Sequence, residues 1–201
     1  MVSKIVLSLY PKLKVMTEYK LSNGNTLQVI NDKSPESPRT WSNLGKMVCF
    51  HKRYDLGDKH DFKQRDYHGW DELKAAILKN EDIAVIQPMY MYDHSGITVS
   101  TKPFSCSWDS GQIGFIYITK EAAREGFMVK NVTAKIKERL LVNLNGEVET
   151  YDQYLTGDIY GFKEVDSEGN EVDSCWGFYG DNPKTNGMSD HIDSEVLDEI
   201  K

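Results

Sequence analysis

The apolar runs of this chain fall in neighbouring pairs, separated by turn residues rather than by helices, and that pattern limits the fold more than any other feature. Residues 2–10 (VSKIVLSLY) and 26–30 (TLQVI) bracket Ser22-Asn23-Gly24-Asn25. Asn-Gly suits the positive φ of a tight turn, so an N-terminal hairpin is expected. MVCF, within 41–51, reads as a short buried strand, and 83–92 (IAVIQPMYMY), 96–101 (GITVST) and 114–119 (GFIYIT) as three more. Pro88 offers no N–H to a ladder, which places it at a sheet edge or a bulge. Residues 157–165 and 171–179 flank Asp166-Ser167-Glu168-Gly169-Asn170 as a second hairpin. Helical signals are fewer. They are 71–79 with acids in the first turn, EAAREGF behind a Thr119 N-cap and ending near Gly126, and about 131–144, with a further turn at 151–155. In the third stretch Val132, Ile136, Leu140 and Leu144 recur every four residues. Strands in adjacent pairs with about three helices give an α+β fold with a mostly antiparallel sheet, not a doubly wound one. Residues 1–180 are expected to form a single domain, and 181–201 an acidic, loosely held tail.

Charge and cysteine usage narrow the classes of function. The formal charge of −7 opposes direct nucleic-acid binding, which needs a basic face. It suits a basic partner, or a nucleic-acid-binding protein whose channel an acidic surface fills. Glu147, Glu149, Asp152, Asp158, Glu164, Asp166, Glu168, Glu171, Asp173 and Asp181 are the carboxylates available for such mimicry. The three cysteines are widely spaced, without a CxxC pair, so neither a zinc knuckle nor a disulfide framework is indicated. No apolar run approaches the ~20 residues of a membrane span, and the first residues lack a leader's apolar core and cleavage site. The expected setting is a reducing cytoplasm, with no membrane partner.

Costly side chains concentrate between Trp41 and Phe115, which hold four of the five histidines and three of the four tryptophans. Asp93-His94-Ser95-Gly96 ends a strand at a glycine, where a carboxylate can orient an imidazole for proton transfer. Cys106 is the candidate nucleophile for His94, with Asp109 completing a catalytic set and Gln112 a candidate oxyanion donor. His51, Asp55, Asp58, His60, Asp61, Asp66, His68, Asp93 and His94 are possible metal ligands, but their spacing fits no ligand motif, and neither metal nor cofactor is assigned. A binding surface is drawn from Trp41, His51, Arg53, Tyr54, Tyr92, Asp93, Trp108 and Gln112, with Arg39 and Arg65 nearby, since exposed rings and arginines anchor interfaces. Trp108 and Trp176 are themselves expected in the core. The polar stretch Arg53–Gly69 reads as a long functional or mobile loop.

PESPRTWSNLGKMVCFHKRYDLGD, YDHSGITVSTKPFSCSWDSGQIGFIYITK and VETYDQYLTGDIYGF resemble a family of small proteins encoded by tailed bacteriophages and prophages. The resemblance covers residues 34–179 and carries no catalytic residues over. It implies an accessory gene expressed in an infected bacterium, of a kind that acts on host machinery such as restriction or CRISPR defence. The resulting expectation is an inhibitor or modulator of a host protein, including a defence nuclease such as a CRISPR effector. The alternative is a small enzyme, a Cys-His hydrolase or transferase or a metal-dependent hydrolase, using the 51–112 cluster.

Overall fold

The computed structural model describes residues 17–192, and its eight strands and three helices form two antiparallel sheets. The fold is α+β. The chain divides into two compact units, 1–36 with 157–201 and 37–156, where the sequence pattern suggested one domain over 1–180. The reason is long-range pairing between the two hairpins, which no local signal announces.

The first unit is a sheet of order β1-β2-β7-β8, from β1 (Thr17–Lys20), β2 (Thr26–Asn31), β7 (Ile159–Val165) and β8 (Glu171–Tyr179). The expected turn does join β1 to β2, with Gly24 at φ 89°. Its first strand is Thr17–Lys20, however, and the expected strand at 2–10 lies outside the described residues. β2 then pairs with β7 from Thr26↔Val165 to Asn31↔Tyr160. Leu27, Val29, Tyr160, Phe162 and Phe178 form one cluster, joined by Met188 and Ile192. The expected tail is held to this cluster at Met188 and Ile192, and residues beyond 192 lie outside the described residues.

The second unit carries the site. Its sheet has the order β3-β6-β4-β5, from β3 (Lys46–Cys49), β4 (Ile83–Asp93), β5 (Ile97–Ser100) and β6 (Ser110–Thr119). Helix α1 (Trp70–Asn80) covers one face, burying Leu73 and Ile77 among Val48, Phe115 and Tyr117. Ala123 of α2 (Lys120–Phe127) and Leu140, Leu144, Val148 and Tyr151 of α3 (Ala134–Thr156) join the core on the other face, with Met47, Met89, Ile116 and Ile118. Strand β6 is apolar without alternation because both of its faces are covered. Gly114 within it is required by close approach, since a Cβ there would strike the Val48 carbonyl. Thr119 caps α2 as expected, its hydroxyl accepting from the Ala122 amide at 3.1 Å, and the helix runs to Phe127 before Met128 turns left-handed. The two helical stretches expected at 131–144 and 151–155 are one helix of 23 residues. Its four-residue apolar repeat continues through Val148, and Gly146 has open space around it, so nothing interrupts the helix there. Pro88 sits on an inner strand beside a register shift at Met89/Tyr90, and β5 pairs only with Tyr90–Asp93, so no ladder bond is forfeited to β5.

Candidate functional site

One end of the second unit gathers most of the singled-out side chains. β3 stops at Cys49 and the chain leaves the sheet through His51, Lys52 and Arg53, opening a groove against the start of β6. His51, Arg53, Met91, Asp93, Trp108, Asp109, Ser110, Gly111, Gln112 and Ile113 line it. The hollow of about 320 Å³ adjoins a second that shares His51, Arg53, Gln112 and Ile113 and runs on to Phe50, Gln64 and Trp70. A third, with Tyr67 and His68, continues from those residues. The result is one trough floored by strand backbone and edged by rings.

Local geometry fixes its walls. His51 and Tyr54 stack with ring centroids 4.9 Å apart, and the Arg53 guanidinium lies 5.4 Å from the Tyr54 ring. The Arg53 amide donates to Nδ1 of His51 at 3.3 Å, which leaves that nitrogen without a proton. Arg53 forms an ion pair with Asp93 at the end of β4. Asp93 and Ile97 close the β4–β5 hairpin, with His94, Ser95 and Gly96 between them and Ser95 at φ 58°. His94 is therefore presented on a tight turn, its Nδ1 3.1 Å from Asp109 Oδ2 and its ring stacked on Tyr92. A carboxylate at Nδ1 assigns the proton there and leaves Nε2 as the basic nitrogen.

The expected set is thus brought together in part. His94 and Asp109 form a dyad, but among the described residues no hydrogen bond joins the Cys106 thiol to His94. Cys106 lies on the loop before β6, and its carbonyl accepts from the Ser110 hydroxyl. Gln112 donates its side-chain amide to the Gly114 carbonyl at 3.1 Å and is committed to its own strand. Trp41 lies elsewhere, in a hollow with Pro38, Asn43 and residues of α3. Trp108, expected in the core, is 94% exposed, and Trp176 is 42% exposed with its ring over Gly161. Trp108 lies on the loop before β6, beyond the sheet.

Among the described residues no three His, Cys, Asp or Glu side chains gather into a metal-binding group. Several expected ligands have other partners. Asp58 binds Arg39, His60 reaches the Cys49 carbonyl at 3.1 Å while its ring lies edge-on to Phe50, and Asp93 binds Arg53. Several of the acidic series also have partners within the molecule. Asp152 accepts from the Thr98 hydroxyl and the Val99 amide, Glu164 from Asn23 and Asn25, and Glu171 from Lys163. Asp166 closes the β7–β8 turn, and hydrogen bonds from the Asn170 side-chain amide and from the Asn170 and Glu168 backbone amides hold its carboxyl below the usual range.

Sequence reasoning missed one charged cluster. Arg39 is buried, with Nε and Nη2 on the two Asp58 oxygens (2.9 and 2.7 Å), Nη1 on Glu147 at 3.0 Å and Nη2 also on the Gly45 carbonyl. Asp58 also accepts from the Met47 amide, and Glu147 from those of Leu44 and Gly45. Burial opposes the Arg39 charge, but its two carboxylates outweigh that and raise its pKa. The cluster fastens the 51–69 loop to the sheet and to α3, with help from Leu56 in the core and the Gly57 amide on the Tyr151 hydroxyl at 3.0 Å. The loop forming the groove wall is pinned at its middle.

No protein-family model, curated protein or solved structure matches the chain. No helix among the described residues is long and apolar enough to cross a membrane.

Proposed function

We propose that this chain is a binding protein that engages a partner polypeptide through the groove at the start of β6. One observation carries the reading: an indole left almost wholly in solvent at the mouth of a ring-edged trough whose other wall is anchored. An exposed indole at the edge of a groove offers a large apolar area to a partner, and tryptophan is among the residues that dominate binding energy when a partner buries it. The resemblance to phage accessory proteins supports a host bacterial protein as the partner, inhibited or modulated by this contact, with a nucleic-acid-binding defence complex such as a CRISPR effector as the leading class. In affinity capture from bacterial lysate, the full chain retains a complex that Trp108→Ala loses, while Trp176→Ala retains it. Equal capture by the wild type and Trp108→Ala rules the groove out.

A second reading, a small enzyme, draws on the His94–Asp109 dyad alone. It requires an activity that His94→Ala abolishes with folding intact, and Cys106→Ala does not affect that activity, since the thiol is not joined to the dyad.

A further inference from the structure

β3 covers only part of β6. Its register runs from Lys46↔Tyr117 to Cys49↔Gly114, the Phe50 amide adds one bond to the Ile113 carbonyl at 2.7 Å, and the chain then turns away. β6 begins earlier, at Ser110. Among the described residues, Ser110, Gly111 and Gln112 have strand partners on β4 alone, namely Tyr92, Met91 and Tyr90. Backbone groups alternate sides along an antiparallel strand. The Asp109 carbonyl accepts from the Asp93 amide at 2.8 Å, on the β4 side. The amides and carbonyls of Ser110 and Gln112 therefore point the other way, into the groove.

The groove lies where a longer β3 would have run, with His51 and Arg53 on one wall and Ser110–Ile113 on the other. Its floor is a stretch of strand edge with unmet donors and acceptors, which is a template for another strand. Its apolar contacts are Met91, Ile113 and Trp108, while Asp93 is ion-paired with Arg53 and Asp109 is hydrogen-bonded to the His94 ring. An occupant selected by net charge finds little to bind, and one that offers backbone hydrogen bonds finds a matching edge.

We propose that the groove accepts a short extended segment of the partner polypeptide, which adds to the free side of Ser110–Gln112 as a β-strand and lays an apolar side chain against Trp108. The Phe50–Ile113 bond closes one end and the Arg53–Asp93 pair the other, so the strand pairs over about 10–13 Å, or three to four residues at the usual rise. This deepens the reading of the groove as a docking face and rests on it.

The test is a selection of short random peptides on the full chain, followed by methylation of each backbone nitrogen of a peptide that binds. Strand addition predicts a period of two: methylation weakens binding about tenfold at amides facing β6 and leaves alternate ones unchanged, as expected for losing one hydrogen bond in a desolvated site. Affinity changes little with added salt, and Trp108→Ala weakens binding at least about tenfold. Methylation tolerated at every position, or harmful without alternation, overturns strand addition while the groove remains the docking face. Failure to select any peptide whose binding depends on Trp108 overturns the groove reading itself.

Discussion

Two arginines of the second unit make the same kind of contact in opposite surroundings. Arg39 and Arg53 each pair with an aspartate, but the Arg39 side chain is 6% exposed and that of Arg53 66%. Around Arg39 the geometry is over-determined, since both carboxylate partners also accept backbone amides and every charge has several bonds. Around Arg53 a single ion pair joins an exposed guanidinium to Asp93, itself 17% exposed, at a groove rim. A buried pair is costly to break, because removing one member leaves the other charged and desolvated. An exposed pair exchanges protein contacts for water with little net change. Arg39 therefore holds the fold, and Arg53 is available to shape a surface that a partner covers.

The widest separation between them comes from Arg39→Met. It strands Asp58 and Glu147 beside the Leu44–Met47 backbone, and the expected loss is about 3–5 kcal/mol in urea or guanidinium unfolding. The His51 and Arg53 wall of the groove belongs to the loop that Asp58 pins, so Arg39→Met also weakens capture of a partner at temperatures where it still folds. A loss below about 1 kcal/mol would place Arg39 with Arg53 and remove the contrast.

Titration separates the buried region from the rim next. Burial pushes the Cys49 thiol up to about 12, and the Tyr117 phenol to about 12 as well. In the unfolded chain these groups lose protons near ~8.5 and ~10. Above those values the unfolded state holds fewer protons than the native one, so stability falls as pH rises, by about 1.4 kcal/mol per pH unit for each group, until the native groups ionise. Stability is expected to decline from about pH 9 and to be lost progressively towards pH 12. Cys49→Ala lowers stability at neutral pH through the cavity, yet flattens the alkaline slope by one proton. An unchanged slope in that variant would show the thiol to be solvated.

Much of this architecture is legible in the residues, and what is not shares one cause. The Asn-Gly turn, the Thr119 cap, the Glu168-Gly169-Asn170 turn and the apolar runs of β4, β5 and β6 are local signals, and local physics places them. The union of the two hairpins into one sheet depends on β2 meeting β7 across more than a hundred residues, and hydrophobic pattern does not specify partners at that distance. The Arg39 cluster is hidden for the same reason. Its partners lie 19 and 108 positions away, and KSPESPR reads as an ordinary proline-bearing loop. In the candidate site, the convergence of His51, Arg53, Asp93 and Asp109 was legible as a concentration of residue types. The exposure of Trp108 was not, because it depends on where β3 ends relative to β6. Cys106 shows the converse: an Asp-His dipeptide with a nearby thiol suggests a nucleophile, and the hairpin geometry gives His94 to Asp109 instead.

The smallest expected effect is the most discriminating. Arg53→Ala and Asp93→Ala should each cost less than about 1 kcal/mol, and a double-mutant cycle should give a coupling of a few tenths, falling further with salt. Coupling that small is undetectable beside the loss at Arg39, which is the point of the contrast: the two pairs look alike in contact geometry and differ in desolvation. If the cycle instead returned about 2 kcal/mol or more, the rim would be dry enough for its charges to matter to folding. The groove would then be a structural seam rather than a face kept open for a partner, and the free edge of Ser110–Gln112 would have to be explained by packing.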